Sequence, residues 1–301
     1  MFNISQHLEC DCFFTPYYND GDEFLEILEK GGFLDFTILS GKARKRTESF
    51  LKDKGVNIDY GGLSNNYSLV LTCSDLLIPQ NIQNKKIVLV QEGMTDPEDW
   101  RYHLVRNLNL PRYLANTSMT GLSNEYVSFC VASEGFKELF VNKGAEADKI
   151  HVTGIPNFDN VKKYEDNDFP HKHYLLAATS HLRESLKFEN RKRFIEKAVS
   201  YAEGKTIIFK LHPNENHDRA ISEIERYAPG SVIYTEGNTN HMIANCDILL
   251  TRYSSVLLIA LALDKKVYSD LDETDLKPLT PIQNDGTSAL NIARICHEHL
   301  N

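Results

Sequence analysis

The sequence predicts an α/β protein built from parallel sheets covered by helices, and two observations carry that prediction. Short β-like apolar runs alternate with amphipathic helical stretches along the chain, the pattern of repeated strand and helix units. The stretch from Asn245 to Tyr268 shows one such unit complete: an apolar run at Ile248-Leu-Leu250, a polar turn at Thr251-Arg-Tyr-Ser-Ser255, a helix-length apolar stretch from Val256 to Leu263, and a strand at Lys266-Val-Tyr268. A short run that is apolar at every position marks a strand buried on both faces, as parallel strands are.

In chain order, Cys12-Phe-Phe-Thr15 and Phe36-Thr-Ile-Leu39 read as strands. Between them, Asp22 to Lys30 has helical apolar spacing and stops at Gly31-Gly32. Arg44 to Lys54 is a second helix. Strands follow at Leu69 to Thr72, Ile87 to Gln91 and Val127 to Val131, with helices over Trp100 to Leu114 and Phe136 to Val141, the latter ended by Gly144. Lys149 to Gly154 closes this series just before Pro156. Residues 160 to 172 lose periodicity and are the expected linker, dividing the chain into domains over 1–165 and 166–301. The pattern then restarts with strands at Tyr174 to Ala178, Thr206 to Lys210 and Val232 to Tyr234, helices at Arg191 to Ala202 and Arg219 to Tyr227, and a closing helix from Thr287 to Leu300.

The chain of 301 residues, 42% hydrophobic, can bury a sizeable core and matches a length prior of two domains of ~150 residues. No apolar run approaches the ~20 residues of a membrane helix, and Met1-Phe-Asn-Ile-Ser-Gln-His7 is not a signal sequence, so a cytoplasmic location is expected. A formal charge of −9 argues against a duplex nucleic-acid partner. The six cysteines show no paired CxxC spacing. Neither cofactor nor metal is expected: Gly21-Asp22 and Asp270-Leu-Asp272 are short acidic turns, and no Walker loop, GxGxxG or HExxH is present.

Chemistry is sought at strand ends, because open α/β sheets bind ligands at the carboxyl edge of their strands. Lys210-Leu-His-Pro-Asn-Glu215 follows a strand, so His212 emerges at that edge with Pro213 fixing the turn. His212 is then either a donor to phosphate, with Glu215 reaching ribose hydroxyls, or a surface histidine in a proline turn. Thr153-Gly-Ile-Pro-Asn-Phe-Asp159 ends another strand, where Gly154 either admits a ligand or starts a loop. Thr179-Ser180-His181 is a further polar strand end. Ser254 and Ser255 are either anion-binding hydroxyls at a helix start or a simple N-cap. Val90-Gln-Glu-Gly-Met-Thr95 offers Glu92, either a partly buried general base or an exposed turn acid. Arg44, Lys45 and Arg46 form a dense basic cluster in the first half, read either as a solvated helix start or as a site for an anionic acceptor or membrane surface.

Taken in order, Gln91-Glu-Gly93, Gly154 to Asp159, Lys210-Leu-His-Pro213 and Asp247 to Ser255 resemble the GT-B glycosyltransferase superfamily. The pattern spans about residues 87 to 268. It is most similar to bacterial capsule and wall-polymer enzymes: CMP-sialic acid and CMP-Kdo transferases, and CDP-glycerol glycerophosphotransferases. UDP-GlcNAc 2-epimerases share the fold and a similar glycine–proline turn. Two departures stand out. Gln91 replaces the first acid of the CMP-sugar enzymes' acidic-acidic-Gly motif, and Arg252 stands where the glycerophosphotransferases commonly carry an acid.

The resemblance implies two Rossmann-like domains facing each other across a cleft. It implies inverting, metal-independent transfer from a nucleotide-activated sugar, CMP- or CDP-linked by preference and UDP-linked as the alternative, to a glycan or lipid-linked glycan. Glu92 would act as base and His212 with Pro213 would contact the donor phosphate. The nucleotide would lie along Gly154, Pro156, Asn157, Ser180, His181, Lys210, Glu215, Thr251, Ser254 and Ser255. An epimerase acting without an acceptor, and a non-catalytic subunit that docks on a partner enzyme, are the competing expectations.

Overall fold

The structure, a computed structural model, describes residues 1–16, 41–184 and 187–300. The helix expected over Asp22 to Lys30 and the strand expected at Phe36 to Leu39 lie outside the described residues.

A small parallel pair near the start of the chain, β1 (Phe13–Phe14) with β2 (Asn57–Ile58), stands apart from two larger sheets that organise the fold. Both of these are wholly parallel. The first is made of β3 (Leu69–Thr72), β4 (Lys86–Val90), β5 (Ser128–Val131) and β6 (Ile150–Val152), side by side in that order. The second comprises β7 (Leu175–Ala178), β8 (Ile207–Lys210), β9 (Val232–Tyr234), β10 (Ile248–Leu250) and β11 (Lys266–Tyr268), in the spatial order β11-β10-β7-β8-β9. Every residue of β5, β7 and β10 is buried, which is why these strands read as apolar runs, with Ser128 the one polar residue among them.

The second sheet is doubly wound. From β7 the chain adds β8 and β9 on one side, then crosses back to place β10 and β11 on the other. Its strand order therefore reverses between β7 and β10, and the carboxyl ends of these two neighbours open the crevice where such sheets take ligands.

Among the described residues, two α-helices precede the first large sheet, α1 (Phe2–Ser5) and α2 (Gly41–Asp53). The expected helix from Trp100 to Leu114 is shorter. Helix α3 (Trp100–Leu108) ends at Asn109, which adopts the left-handed conformation with φ 50°, and a run of 3-10 turns (Arg112–Met119) follows Pro111. Asp99 caps the helix start, its carboxylate accepting from the N–H groups of Arg101 and Tyr102. A helix over Thr239–Asn245, capped by Asn238, is too short to show a period in the sequence. The expected linker is packed structure in part: Val161 is fully buried in a 3-10 turn (Val161–Tyr164), and Phe169 lies 6.0 Å from Tyr174 and 5.4 Å from Tyr234 between ring centroids.

The C-terminal segment returns across the division expected at 165 to 166. Helix α4 (Glu134–Lys143) starts against Pro278 so closely that a Cβ on Gly135 would lie 2.2 Å from the Pro278 carbonyl oxygen. Ile282 N–H donates to Ala132 O at 2.9 Å, continuing the contact along the end of β5. The closing helix (Ser288–Leu300) then packs against α1 and β3. Its buried residues Ala289, Ile292, Ala293 and Cys296 form one helical stripe. Among the described residues, no helix is long and apolar enough to cross a membrane.

Candidate functional site

The carboxyl ends of β4, β7, β8 and β10 supply the polar turns singled out in the sequence, and the geometry sorts them into those that face one another and those that brace the rest. The central contact joins the two sheets. Ser255 opens the helix Val256–Ala262, but its hydroxyl makes no capping bond; it accepts the N–H of Met94 at 3.1 Å instead. The Glu92 turn and the Ser254-Ser255 turn are therefore in direct contact.

Gly93 is required for this approach, since a Cβ there would lie 2.2 Å from Ser255 Oγ. Gln91 shapes the same turn from below. Its buried amide donates through Nε2 to Gly93 O at 2.9 Å, while Oε1 accepts from Ala132 N–H at 2.9 Å. A carboxylate could accept the second bond but not donate the first, so an amide suits a position where the resemblance expects an acid. Glu92 itself is exposed, which matches the exposed turn acid of the two alternatives and not the partly buried one. Lys187 adds a second tie between the halves, its ammonium 3.3 Å from Asp96 Oδ1.

At the end of β8, the backbone N–H of His212 donates to Thr179 Oγ1 at 3.0 Å and to Glu215 Oε1 at 2.9 Å. The ring nitrogen Nδ1 accepts from Asn214 N–H at 3.1 Å, which puts the neutral imidazole's proton on Nε2. The ring stacks on His181, with centroids 4.1 Å apart and planes at 28°. Burial first, then the nearby His181 and Lys210, push the His212 pKa down from 6.5 to about 4. The ring is thus a neutral hydrogen-bond donor near pH 7.

This shift ties stability to pH. Because the native ring resists protonation until about pH 4 while an unfolded histidine titrates near 6.5, the unfolded chain binds more protons between these values. Stability should fall as pH drops through that window, and His212→Gln should flatten that part of the profile in thermal melts. An unchanged acid limb would contradict the assignment.

Several residues expected along the nucleotide turn inward instead. Glu215 is buried with both carboxylate oxygens in use: Oε1 accepts from Thr179 and from His212 N–H, and Oε2 accepts from Arg191 Nη2 at 2.8 Å. It braces the His212 turn and is not presented to a ribose. Lys210 is buried too, donating to the carbonyls of Leu211 at 2.8 Å and Thr235 at 3.2 Å, and burial holds its pKa below the usual lysine range. Thr251 is buried, its hydroxyl donating to Ala178 O at 3.2 Å and so stitching β10 to β7.

Gly154, with φ 68°, makes a close approach of a different kind from the one expected. A Cβ there would lie 2.3 Å from Ser288 Oγ, so the glycine accommodates the closing helix rather than a ligand. The adjoining Asp159 accepts from Ser288 N–H at 2.7 Å, binding that helix start. Pro156 is half-buried and Asn157 exposed, whereas Phe158 is buried beneath Gly93, whose added Cβ would stand 4.0 Å from its ring. The residues left partly accessible at the crevice are Ser180, His181, His212, Ser254 and Ser255, with Pro213 exposed beside them.

Arg44, Lys45 and Arg46 lie inside the first two turns of α2, which begins earlier than the sequence suggested. Arg44 is half-buried; Lys45 and Arg46 are exposed. Cations in the first turns of a helix oppose its dipole, but Arg44 stands one turn before Glu48, whose pKa is lowered first by Lys52 and Tyr60 and in smaller part by Arg44.

Arg191 and Glu189 are structural partners that sequence reading missed, while Thr179 and Asp159 were quoted within their motifs but given no role. Arg191 Nη2 alone meets Ser180 O at 2.9 Å, Glu189 Oε2 at 3.0 Å and Glu215 Oε2 at 2.8 Å. A helix-start arginine is ordinarily solvated, and nothing in its sequence neighbourhood marks it for burial.

No family model matches the chain, and no curated protein does either. Among solved structures, it is similar to a UDP-GlcNAc 2-epimerase from Neisseria meningitidis bound to UDP-GlcNAc, with 15% identity, TM-score 0.53, and coverage of 85% of this chain and 89% of that one. It is likewise similar to S. aureus MnaA in complex with UDP, with 13% identity, TM-score 0.54, and coverage of 86% and 87%. The wall teichoic acid polymerase TagF overlays more loosely, with 14% identity, TM-score 0.43, and coverage of 77% and 72%. The fold is of the GT-B type, a mixed α/β architecture with parallel sheets.

Proposed function

We propose that the chain is a sugar-nucleotide enzyme that moves a sugar, or a glycerophosphate-like group, from a CMP- or CDP-linked donor to a glycan acceptor by inverting, metal-independent transfer. The observation that supports this best is the bond from Met94 N–H to Ser255 Oγ. It brings the exposed carboxylate-bearing turn of one sheet against the hydroxyl-bearing turn at the other sheet's strand-order reversal. The donor half would be residues 166–301 and the acceptor half 1–165.

In this reading the nucleotide phosphates lie in the crevice between β7 and β10. Ser254 and the Nε2–H of His212 donate to them, and Ser255 keeps its own proton to donate while accepting from Met94, whereas the Ser180 hydroxyl donates to Glu189 Oε1 at 3.2 Å. Such fixed donors stabilise charge on a departing phosphate. His212 acts as this neutral donor near pH 7. Glu92 removes the acceptor's hydroxyl proton as that oxygen attacks the anomeric carbon from the opposite side. Arg44, Lys45 and Arg46 would draw in an anionic acceptor or an anionic membrane surface carrying it.

A second reading is favoured by the stacked His181 and His212 rings. Two imidazoles at the crevice, with Glu92 across it, could move the protons of a sugar-nucleotide 2-epimerase. The two neighbours of higher TM-score carry UDP-GlcNAc and UDP.

Thermal shift with CMP, CDP and UDP separates the readings. Stabilisation by the cytidine nucleotides above UDP is expected for transfer. Preference for UDP, with product formed from UDP-GlcNAc alone, would replace it with epimerisation. No shift with any nucleotide, together with co-purification of another transferase, would make the chain a docking subunit.

A further inference from the structure

A cavity of about 500 Å³ lies under the C-terminal end of α3 and beside the end of α4, and it shares no residue with the turns of the candidate functional site. Arg106, Arg112 and Lys143 all line it. Three cations around one opening are unexpected in a chain of net charge −9. The rest of the wall is largely apolar, from Leu110, Pro111, Met119 and Leu122. The volume is that of a small-molecule site.

Each cation is anchored by hydrogen bonds to the protein, although Arg106 remains exposed. Lys143 is 6% exposed, and its ammonium donates to Ser118 O at 2.6 Å and stands 5.4 Å from the centroid of the Tyr102 ring. Arg106 Nη1 donates to Tyr102 Oη at 2.7 Å, which orients its guanidinium beside Gly144. Arg112 is fixed by two bonds to Asp75 O, at 3.2 and 2.9 Å. Glu125, 3.8 Å from Arg112, offsets one of the three charges. Burial pushes the Lys143 pKa down; Glu98 acts against this shift, and Arg106 adds to it. Holding like charges together around a cavity is unfavourable unless an anion enters to pair with them.

We propose that this cavity is a second ligand site, taking a phosphate monoester carried on an apolar chain. The doubly charged head would sit among Arg106, Arg112 and Lys143, where guanidinium forks match phosphate oxygens. The chain would lie along Leu110, Pro111, Met119 and Leu122. The same chemistry is presented by a lipid headgroup and by a soluble organic phosphate.

Isothermal titration of the full chain with octyl phosphate, inorganic phosphate and octyl glucoside tests the site. Octyl phosphate should bind saturably and at least about 10-fold more tightly than either of the others, because only it meets both the cations and the apolar wall. Arg106→Gln, at an exposed position, should weaken octyl phosphate about 10-fold, as loss of a charge-assisted bond does. The same variant should keep the wild-type melting temperature and the wild-type response to CMP, CDP and UDP, so a failure here is distinct from a failure at the crevice. Binding to phosphatidylcholine vesicles only when phosphatidic acid is added, and its loss in Arg106→Gln, would identify a lipid as the source; binding of octyl phosphate without vesicle binding would identify a soluble one. No saturable binding of octyl phosphate, or equal binding by Arg106→Gln, overturns the proposal.

Discussion

Arg191→Met is expected to cost the protein about 3–5 kcal/mol of stability, the range for removing one partner of a buried charge cluster. The guanidinium is 3% exposed and lies between the buried carboxylates of Glu189 and Glu215. Only Nη2 makes those contacts, and the buried Nε and Nη1 donate to nothing among the described residues. Removing it leaves two carboxylates desolvated, with Arg183 Nε, 3.6 Å from Glu189 Oε2, as the nearer remaining cation. The damage should spread to the crevice, because Glu215 holds both Thr179 and the backbone of His212. Urea unfolding should show the loss, and Arg191→Lys should recover part of it, since the three acceptors converge on the single atom Nη2, whose place an ammonium can take as far as its shorter stem reaches. Adding Glu215→Gln to Arg191→Met should cost less than the two single changes added together, because the second no longer breaks an ion pair. If Arg191→Met left the protein as stable as the wild type, the cluster would contribute nothing net to stability.

The second large effect is on turnover. Under the proposed transfer reaction, Glu92→Gln should lower kcat by roughly 100-fold or more while leaving donor affinity nearly unchanged, the signature of a lost general base. The change is sterically conservative and Glu92 is exposed, so stability should be untouched. The neighbouring Gln91 should behave in the opposite way. Its amide links Gly93 to Ala132, so its loss should disturb the turn's shape and with it the contact to Ser255. Full activity in the Glu92 variant would remove that carboxylate from the mechanism and leave the histidine pair to move the proton.

The α/β class, most of the strands and the edge at which function was sought are all legible in the linear order of residues. Parallel strands buried on both faces must be apolar at nearly every position, so Ile248–Leu250 and Leu175–Ala178 announce themselves without any partner in view. The closing helix was legible for a similar reason, because one stripe of apolar residues at helical spacing must face a core. The polar turns after β4, β7, β8 and β10 were legible as interruptions of those runs. Which side chains in those turns look outward depends instead on how the chain packs. Lys210 and Glu215 carry the same charges in either orientation; what turns them inward is a set of carbonyls and a guanidinium, most of them contributed by other parts of the chain. Gly93 and Gly154 read alike as loop glycines, yet each is defined by a neighbour that the linear order hides, Ser255 for one and Ser288 for the other. The bond from Met94 to Ser255 spans 161 residues. Such a contact depends on how two sheets pack, and no local propensity encodes it.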